Sequence, residues 1–442
     1  MAAKKSSGSH KTKSAGGRAA KARAGAGAIP AEYLKPIQPK TLAAVFEGGM
    51  AVAGAALGGA GLAGIAPALA AAAGAAAPVA APPAVARVLN ALGYTTVDEA
   101  LNVVQVAKRE FVRHVGLSAA AIDGFVRAAA PHATKVPAAV RAAITDKPLS
   151  FGFILGVAHR SLKGPEPLAI LPALKAPPGG PPAGGLIGAP PVGAGEALPA
   201  SVNMIAQLAN PVRNQGQVGT CIPHATLVAF EHFLKAKTGT AYDLSEQFLW
   251  WDCKRRDGSP TNATGTFMHC AADALDADGV CQEADWPYDP DAIQANPAQD
   301  PPPPGAGAAA AAFRPTNPVI RITATLVADY KRVLASGRCA SFAVPVYNSN
   351  FNPQGSENAA AVFASGRITL PAPGEDPIGG HCMCMVGYED DASVPALGGG
   401  RFIIRNSYGA VFGATSSYGP GHGTIPYAYI AGLAQDTGIA FL

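Results

Sequence analysis

Gln215-Gly216-Gln217-Val218-Gly219-Thr220-Cys221 stands directly ahead of an apolar run, Ile222, Ala225, Val228, Ala229 and Phe233. That spacing predicts one helix face, and Gly239 marks its stop. Cys221 is therefore placed at a helix N-terminus. The helix dipole and the first backbone N–H groups there favour thiolate over thiol, and the thiolate is the nucleophilic form. Position alone does not separate a nucleophile from a buried structural cysteine. Further along, the chain supplies an imidazole in Gly380-His381 and a side-chain amide in Asn406-Ser407-Tyr408-Gly409. A thiol, a base and a group that orients the base are the parts an acyl-transfer site needs.

Four more stretches carry the reading further. They are Tyr242-Asp243-Leu244-Ser245-Glu246-Gln247-Phe248-Leu249 and Gly279-Val280-Cys281-Gln282-Glu283-Ala284-Asp285-Trp286-Pro287-Tyr288. Then come Gly379-Gly380-His381-Cys382-Met383-Cys384-Met385-Val386-Gly387-Tyr388 and Arg401-Phe402-Ile403-Ile404-Arg405-Asn406-Ser407. In this order they resemble the papain-like cysteine peptidases, in the version seen in bacterial members, over roughly residues 198–435.

The resemblance implies an α+β, two-lobed fold, with a helical lobe from about 198 to 300 and a β-rich lobe after it. It implies that Cys221 attacks as a thiolate, that His381 is its ion-pair partner and later general acid, and that Asn406 holds the imidazole. Gln215 would donate its amide N–H to the oxyanion, and Gly265 would take the place of a glycine that pairs with substrate backbone. The implied activity is a thiol-dependent endopeptidase acting on peptides or proteins without a cofactor. A peptide ligase using the same thioester, or an inactive binding scaffold, are the alternatives.

The chain departs from the family pattern in places. Val218 stands where many members carry a disulfide-forming cysteine, and Ile222 where an aromatic follows the nucleophile. Tyr408 and Phe412 stand where tryptophans are usual. A tyrosine covers the Asn–His bond less fully and brings a hydroxyl that needs a partner. The stretch Thr415 to Gly423 reads as a lengthened loop near the cleft.

At 442 residues, more than one unit is expected. Residues 1–41 hold nine Lys/Arg against one acid, net +8, which leaves −4 for the remainder. Such a tail reads as disordered, with weak attraction to anionic surfaces and no specific nucleic-acid partner. Ala51 to Ala77 carries no charge and is long enough to cross a bilayer. Ala and Gly transfer poorly to lipid, however, and Pro67 interrupts the run, so low complexity is the first reading. A membrane or export segment is the second reading, and the compartment, cytoplasmic or exported, stays open. All seven cysteines lie between Cys221 and Cys384, and their spacing suggests no metal site.

The expected organisation is a basic and Ala/Gly-rich segment at 1–83, a small helical domain at 84–163, a Pro/Gly-rich linker at 164–197 and the peptidase domain at 198–442. In the helical domain, Thr96 with Glu99 predicts a capping box, and Ser118 predicts another helix start after Gly116. No inhibitory propeptide pattern is present, so the domain reads as a targeting or docking module, and a chain starting near Leu198 is expected to fold and cleave by itself. His224, His422 and residues 301–312 read as a structural histidine, a solvated loop histidine and a surface loop.

Overall fold

A computed structural model describes residues 29, 31–46, 82–145, 197–258, 265–297, 301–317, 319–323 and 326–441. Most of the basic tail, the run Ala51 to Ala77 and nearly all of the linker lie outside them. The described helices are α1 (Leu42–Phe46), α2 (Pro82–Ala91), α3 (Val97–Val106), α4 (Lys108–Glu110, continuing as a π turn Phe111–Val115), α5 (Ala119–Ala129) and α6 (Ala138–Thr145). After these come α7 (Cys221–Thr238), α8 (Glu246–Arg256), α9 (Met268–Ala277), α10 (Pro290–Ala295) and α11 (Ala306–Ala310). The rest are α12 (Val327–Ala335), α13 (Asn348–Phe351), α14 (Ala359–Ser365) and α15 (Tyr427–Leu433).

The strands are β1 (Ser201–Asn203), β2 (Ile320–Thr323), β3 (Ala340–Tyr347), β4 (Pro377–Asp390), β5 (Gly400–Arg405), β6 (His422–Pro426) and β7 (Gln435–Ala440). They form one antiparallel sheet in the order β2-β7-β3-β4-β5-β6, with β1 added to β4. This is the α+β arrangement expected. The 14-residue β4 is the longest strand and pairs with β1, β3 and β5. Pairing Val344 with His381, and Cys384 with Arg405, sets the register that matters for function. Asn406 follows directly after β5, so the antiparallel ladder brings it diagonally to His381.

Helix α7 runs against β4 and ends, as expected, at Gly239, whose left-handed φ of 76° suits glycine. The predicted stripe is only part of its burial. Over the first thirteen residues all but Val228 are buried, including His224, Thr226, Glu231 and His232. A helix buried on nearly every side is enclosed by its neighbours, with no face left to water. Its apolar packing is closed by Phe230 against Phe441, ring centroids 4.6 Å apart.

The front helices form where local signals place them. Thr96 and Glu99 make a full capping box at the start of α3, and Ser118 caps α5 through the Ala121 N–H at 3.1 Å. What the residue pattern did not show is where this unit goes. Its core of Leu42, Val85, Leu89, Leu101, Phe111, Ile122 and Phe125 closes on Ala372, far along the chain. Val136, Val140 and Ile144 belong to the main core instead. Hydrogen bonds cross the same seam, from Tyr94 Oη to the Pro371 carbonyl at 2.9 Å and from Gln354 Nε2 to the Thr145 carbonyl at 2.6 Å. The helices are thus a buttress on the connection between β3 and β4, not a tethered module.

Three smaller expectations change. Within the supposed disordered tail, residues 31–46 pack in place: Leu42 is fully buried, and the Ile37 N–H bonds the Thr415 carbonyl at 3.0 Å. His422 opens β6 opposite Arg405 in the ladder and is buried, with Nδ1 on the Pro420 carbonyl at 3.0 Å. Residues 301–312 contain α11, whose Ala306 and Ala310 are buried. Methyl side chains let that short helix approach Gly279, where a Cβ would come within 2.3 Å of the Ala310 carbonyl oxygen.

Candidate active site

Cys221 is the first residue of α7 and is fully buried. The residue before it, Thr220, does not cap the helix with its side chain. Its hydroxyl bonds Tyr288 Oη at 2.6 Å, and Tyr288 donates onward to the Gln215 carbonyl at 2.8 Å. A tyrosine has one proton to give, so Thr220 is the donor of that pair. The positive end of α7 is therefore left to act on the Cys221 sulfur without a capping oxygen from Thr220. Tyr288 meanwhile ties the loop before Cys221 to the helical lobe.

His381 lies in β4 and is fully buried. Its Nε2 bonds Asn406 Oδ1 at 2.8 Å. Because the Asn406 oxygen accepts, Nε2 carries the proton and Nδ1 is the nitrogen left to exchange one. The same oxygen also accepts from the Ser407 N–H at 2.8 Å, which fixes the orientation of the amide. Tyr408 stacks on the imidazole, with centroids 4.8 Å apart and planes 10° from parallel, and its hydroxyl is 3.3 Å from Nδ1. It is also within electrostatic reach of Cys221. Phe351 meets the imidazole edge-on, centroids 5.7 Å apart. The ring is thus held by a bond at Nε2, a stacked phenol and the edge of a phenyl ring.

Burial takes His381 down to about 4; the Asn406 bond works against this, and nearby His224 adds to it. An imidazolium in this place needs a compensating anion or access to water. A thiolate at Cys221 would be such an anion.

Gln215 is also fully buried. Its Oε1 accepts from Ser407 Oγ at 2.6 Å, its Nε2 donates to the Val218 carbonyl at 2.8 Å, and its backbone N–H donates to the Ser407 carbonyl at 2.8 Å. Ser407 therefore orients the Gln215 amide while its own N–H orients Asn406. Ser407 and Tyr288 fall inside the sequence motifs, yet residue order alone assigns neither of them a role. Their positions in those motifs were the available signal.

Arg213, two residues before Gln215, anchors the same loop through Glu231 at 2.6 Å, Glu246 at 2.7 Å and Asp243. A buried arginine matched by carboxylates on α7, α8 and the loop between them ties these elements together. The cavity beside it, lined by Arg213, His224, Cys382, Arg405 and Asn406 among others, measures about 10 Å³. That is room for about one water and for no substrate.

His224 sits three residues after Cys221, with Nδ1 on the Thr220 carbonyl at 2.9 Å, which directs its ring back along the helix toward its first turn. The five residues singled out from sequence fall into two groups. His381, Asn406 and Gln215 are joined through the Asn406 bond and Ser407, and Cys221 lies at the head of α7, within electrostatic reach of Tyr408. Gly265 precedes α9, and its carbonyl accepts from buried Lys254 Nζ at 3.0 Å. All seven cysteines are buried thiols with no disulfide. Among the described residues, no group of three or more His, Cys, Asp and Glu side chains is placed to hold a metal, and no helix is long and apolar enough to cross a membrane.

The model of the papain family cysteine proteases matches residues 198–419, half of the chain. The chain belongs to the papain family. An uncharacterised peptidase C1-like protein of Acanthamoeba polyphaga mimivirus is 25% identical over 231 residues, covering 50% of this chain and 67% of that protein. Digestive cysteine proteinase 2 of Homarus americanus is 42% identical over 82 residues, covering 18% of this chain and 24% of that one. Among solved structures, xylellain, a cysteine protease from Xylella fastidiosa, overlays with a TM-score of 0.46 at 25% identity, covering 56% of this chain and 87% of that one. This papain-family chain is a cysteine peptidase. The match begins at residue 198, so the buttress helices lie outside the family's own domain.

Proposed function

We propose that this papain-family chain is an endopeptidase that hydrolyses peptide bonds through Cys221, His381, Asn406 and Gln215. The observation that carries the reading is the bond between His381 Nε2 and Asn406 Oδ1, which leaves Nδ1 to serve the thiol at the start of α7. His381 Nδ1 takes the Cys221 proton, and the sulfur attacks the substrate carbonyl carbon. The resulting oxyanion is met by the Gln215 amide and the Cys221 backbone N–H. As the intermediate collapses, the imidazolium returns its proton to the leaving amine, which departs and leaves a thioester on Cys221. Water, deprotonated by His381, then attacks the thioester, releasing the acid and the thiol.

Asn406 holds the ring in the tautomer these steps need, and Tyr408 shields the bond that does so. Gly265 is assigned to pairing with substrate backbone by resemblance; Lys254 already occupies one lone pair of its carbonyl. Since Cys221, His381 and Gln215 are shut off from solvent, a peptide reaches the sulfur only after neighbouring segments move aside.

The test is labelling of the purified protein with an epoxide thiol inhibitor, combined with Cys221→Ala. Modification is expected at Cys221 alone, with loss of peptide hydrolysis both in the labelled protein and in the variant. Turnover comparable to wild type in Cys221→Ala would remove the assignment.

A further inference from the structure

Helix α3 of the buttress buries Val97, Ala100, Leu101, Val103 and Val104, and one uncharged polar side chain among them, Asn102, is 3% exposed. A buried amide requires partners, and those of Asn102 lie about 250 residues away. Its Nδ2 donates to the Ser349 carbonyl at 2.7 Å, and its Oδ1 accepts from Ser356 Oγ at 2.5 Å. One side chain thus bridges the two ends of the segment 349–356. Next to it Asn358 Nδ2 donates to Gln105 Oε1 at 3.0 Å, and at Gly355 a Cβ would come within 3.2 Å of Val106.

The bridged segment contains most of α13, a single four-residue turn that cannot hold itself as an isolated helix. It is held from outside: by Asn102, by Glu375 on the Ser349 N–H and hydroxyl, and by the bond from Asn350 Nδ2 to the Thr369 carbonyl. The last residue of this turn is Phe351, whose ring meets the His381 imidazole edge-on. Asn406 fixes one ring nitrogen, which still leaves the imidazole able to tilt about that bond. Phe351, edge-on, and Tyr408, stacked, are contacts that bear on this tilt.

We propose that Asn102, outside the family's own domain, is a positioning residue for His381, acting through the turn that carries Phe351. The proposal rests on the reading of His381 as the catalytic base. It gives the buttress a role in the reaction besides stability. With the bridge gone, Phe351 shifts, Nδ1 of the imidazole loses its aim, and water reaches a ring that burial now keeps neutral. The titratable groups facing that ring are His224 from α7 and Tyr408 after β5, with Cys221 at the head of α7. None of them changes when Asn102 is replaced.

The experiment is steady-state kinetics across pH on the full chain carrying Asn102→Leu, which keeps the side-chain bulk and removes both bonds. Turnover is expected to fall by about tenfold with KM within about twofold, as for loss of aim rather than of binding. The acid limb of kcat/KM is expected to move up by about half a unit, because hydration favours the imidazolium, which cannot take the Cys221 proton. Ser356→Ala, in a half-buried turn, removes one of the two Asn102 bonds together with those that its Oγ accepts from the Asn358 and Ala359 N–H groups, and should shift both readouts the same way by less. If Asn102→Leu does not fold, Ser356→Ala decides.

A lower melting temperature with wild-type turnover and an unmoved limb would show a structural role only and overturn the proposal. Cys221→Ala, run alongside, separates the two failures. If it is inactive while the other variants match wild type, this proposal alone fails; if it turns over normally, the thiol-based reading of the site, on which the role of His381 rests, fails first.

Discussion

Glu99 joins the buttress to the peptidase domain through a buried charged pair, and the size of the effect of replacing it by glutamine follows from the structure. Its carboxylate bonds Arg367 Nε at 2.8 Å and also closes the capping box through the Thr96 N–H at 2.9 Å. Arg401 lies close enough to act on it. Burial by itself would push the carboxyl up, but the two arginine charges and these bonds outweigh it and hold Glu99 at about 2, against an ordinary value of 4.5.

A carboxylate whose folded value is depressed contributes stability that is fully present above its unfolded value and is lost as pH falls through the folded one. Here the window runs from about 4.5 down to about 2. The difference corresponds to about 3 kcal/mol at neutral pH, with less than about half of it left at pH 3. The Glu99 side chain is 1% exposed and Arg367 30%, so solvent screening trims this only modestly. Glu99→Gln also leaves Arg367 and Arg401 facing each other without the larger of their carboxylate counter-charges, Asp391 being the smaller, which adds to the loss.

The assay is urea unfolding of wild type and Glu99→Gln at pH 7 and pH 3. The midpoint of the variant is expected to fall by about 1 M or more at pH 7, and by clearly less at pH 3. Midpoints within about 0.2 M of each other at pH 7, or a gap that widens in acid, would refute the reasoning.

Two further outcomes follow. A chain starting at Leu198 loses the burial of Val136, Val140 and Ile144 in the main core, at about 1.5–3 kcal/mol each, together with the Glu99 pair; it is expected to be insoluble or partly unfolded, and a soluble product with full turnover would contradict the shared core. Gln215→Ala is expected to lower turnover by about 10²–10³, and Asn406→Ala to lower it less than His381→Ala, because Phe351 and Tyr408 still hold the ring; equal losses in all three, with melting temperatures lowered alike, would indicate collapse of the site rather than loss of separate roles.

Much of the site is legible in the order of the residues. Cys221, His381 and Asn406 occur in the sequence and local setting that the chemistry uses, and the helix that aims Cys221 announces itself by spacing and by Gly239. The diagonal of His381 and Asn406 is implicit in two strand-like stretches. Their register, however, depends on which residues of β4 and β5 face each other. The partners that orient the site are less visible, because Ser407, Tyr288 and Phe351 are ordinary residues whose roles lie wholly in whom they touch. In the Ala/Gly/Pro-rich front half, periodicity locates helices without revealing their partner.

Residue order names the reactive side chains, and near neighbours alone set the caps at Thr96 and Ser118 and the stop at Gly239. Such features come from bonds spanning three or four residues, so the local pattern is enough. Only the tertiary structure decided that Glu99 pairs with Arg367, that Asn102 bridges Ser349 and Ser356, and that His422 is buried. Separations of 268, 247 and 254 residues leave no local trace of the first two, since a side chain's partner at that range is chosen by how the whole chain packs.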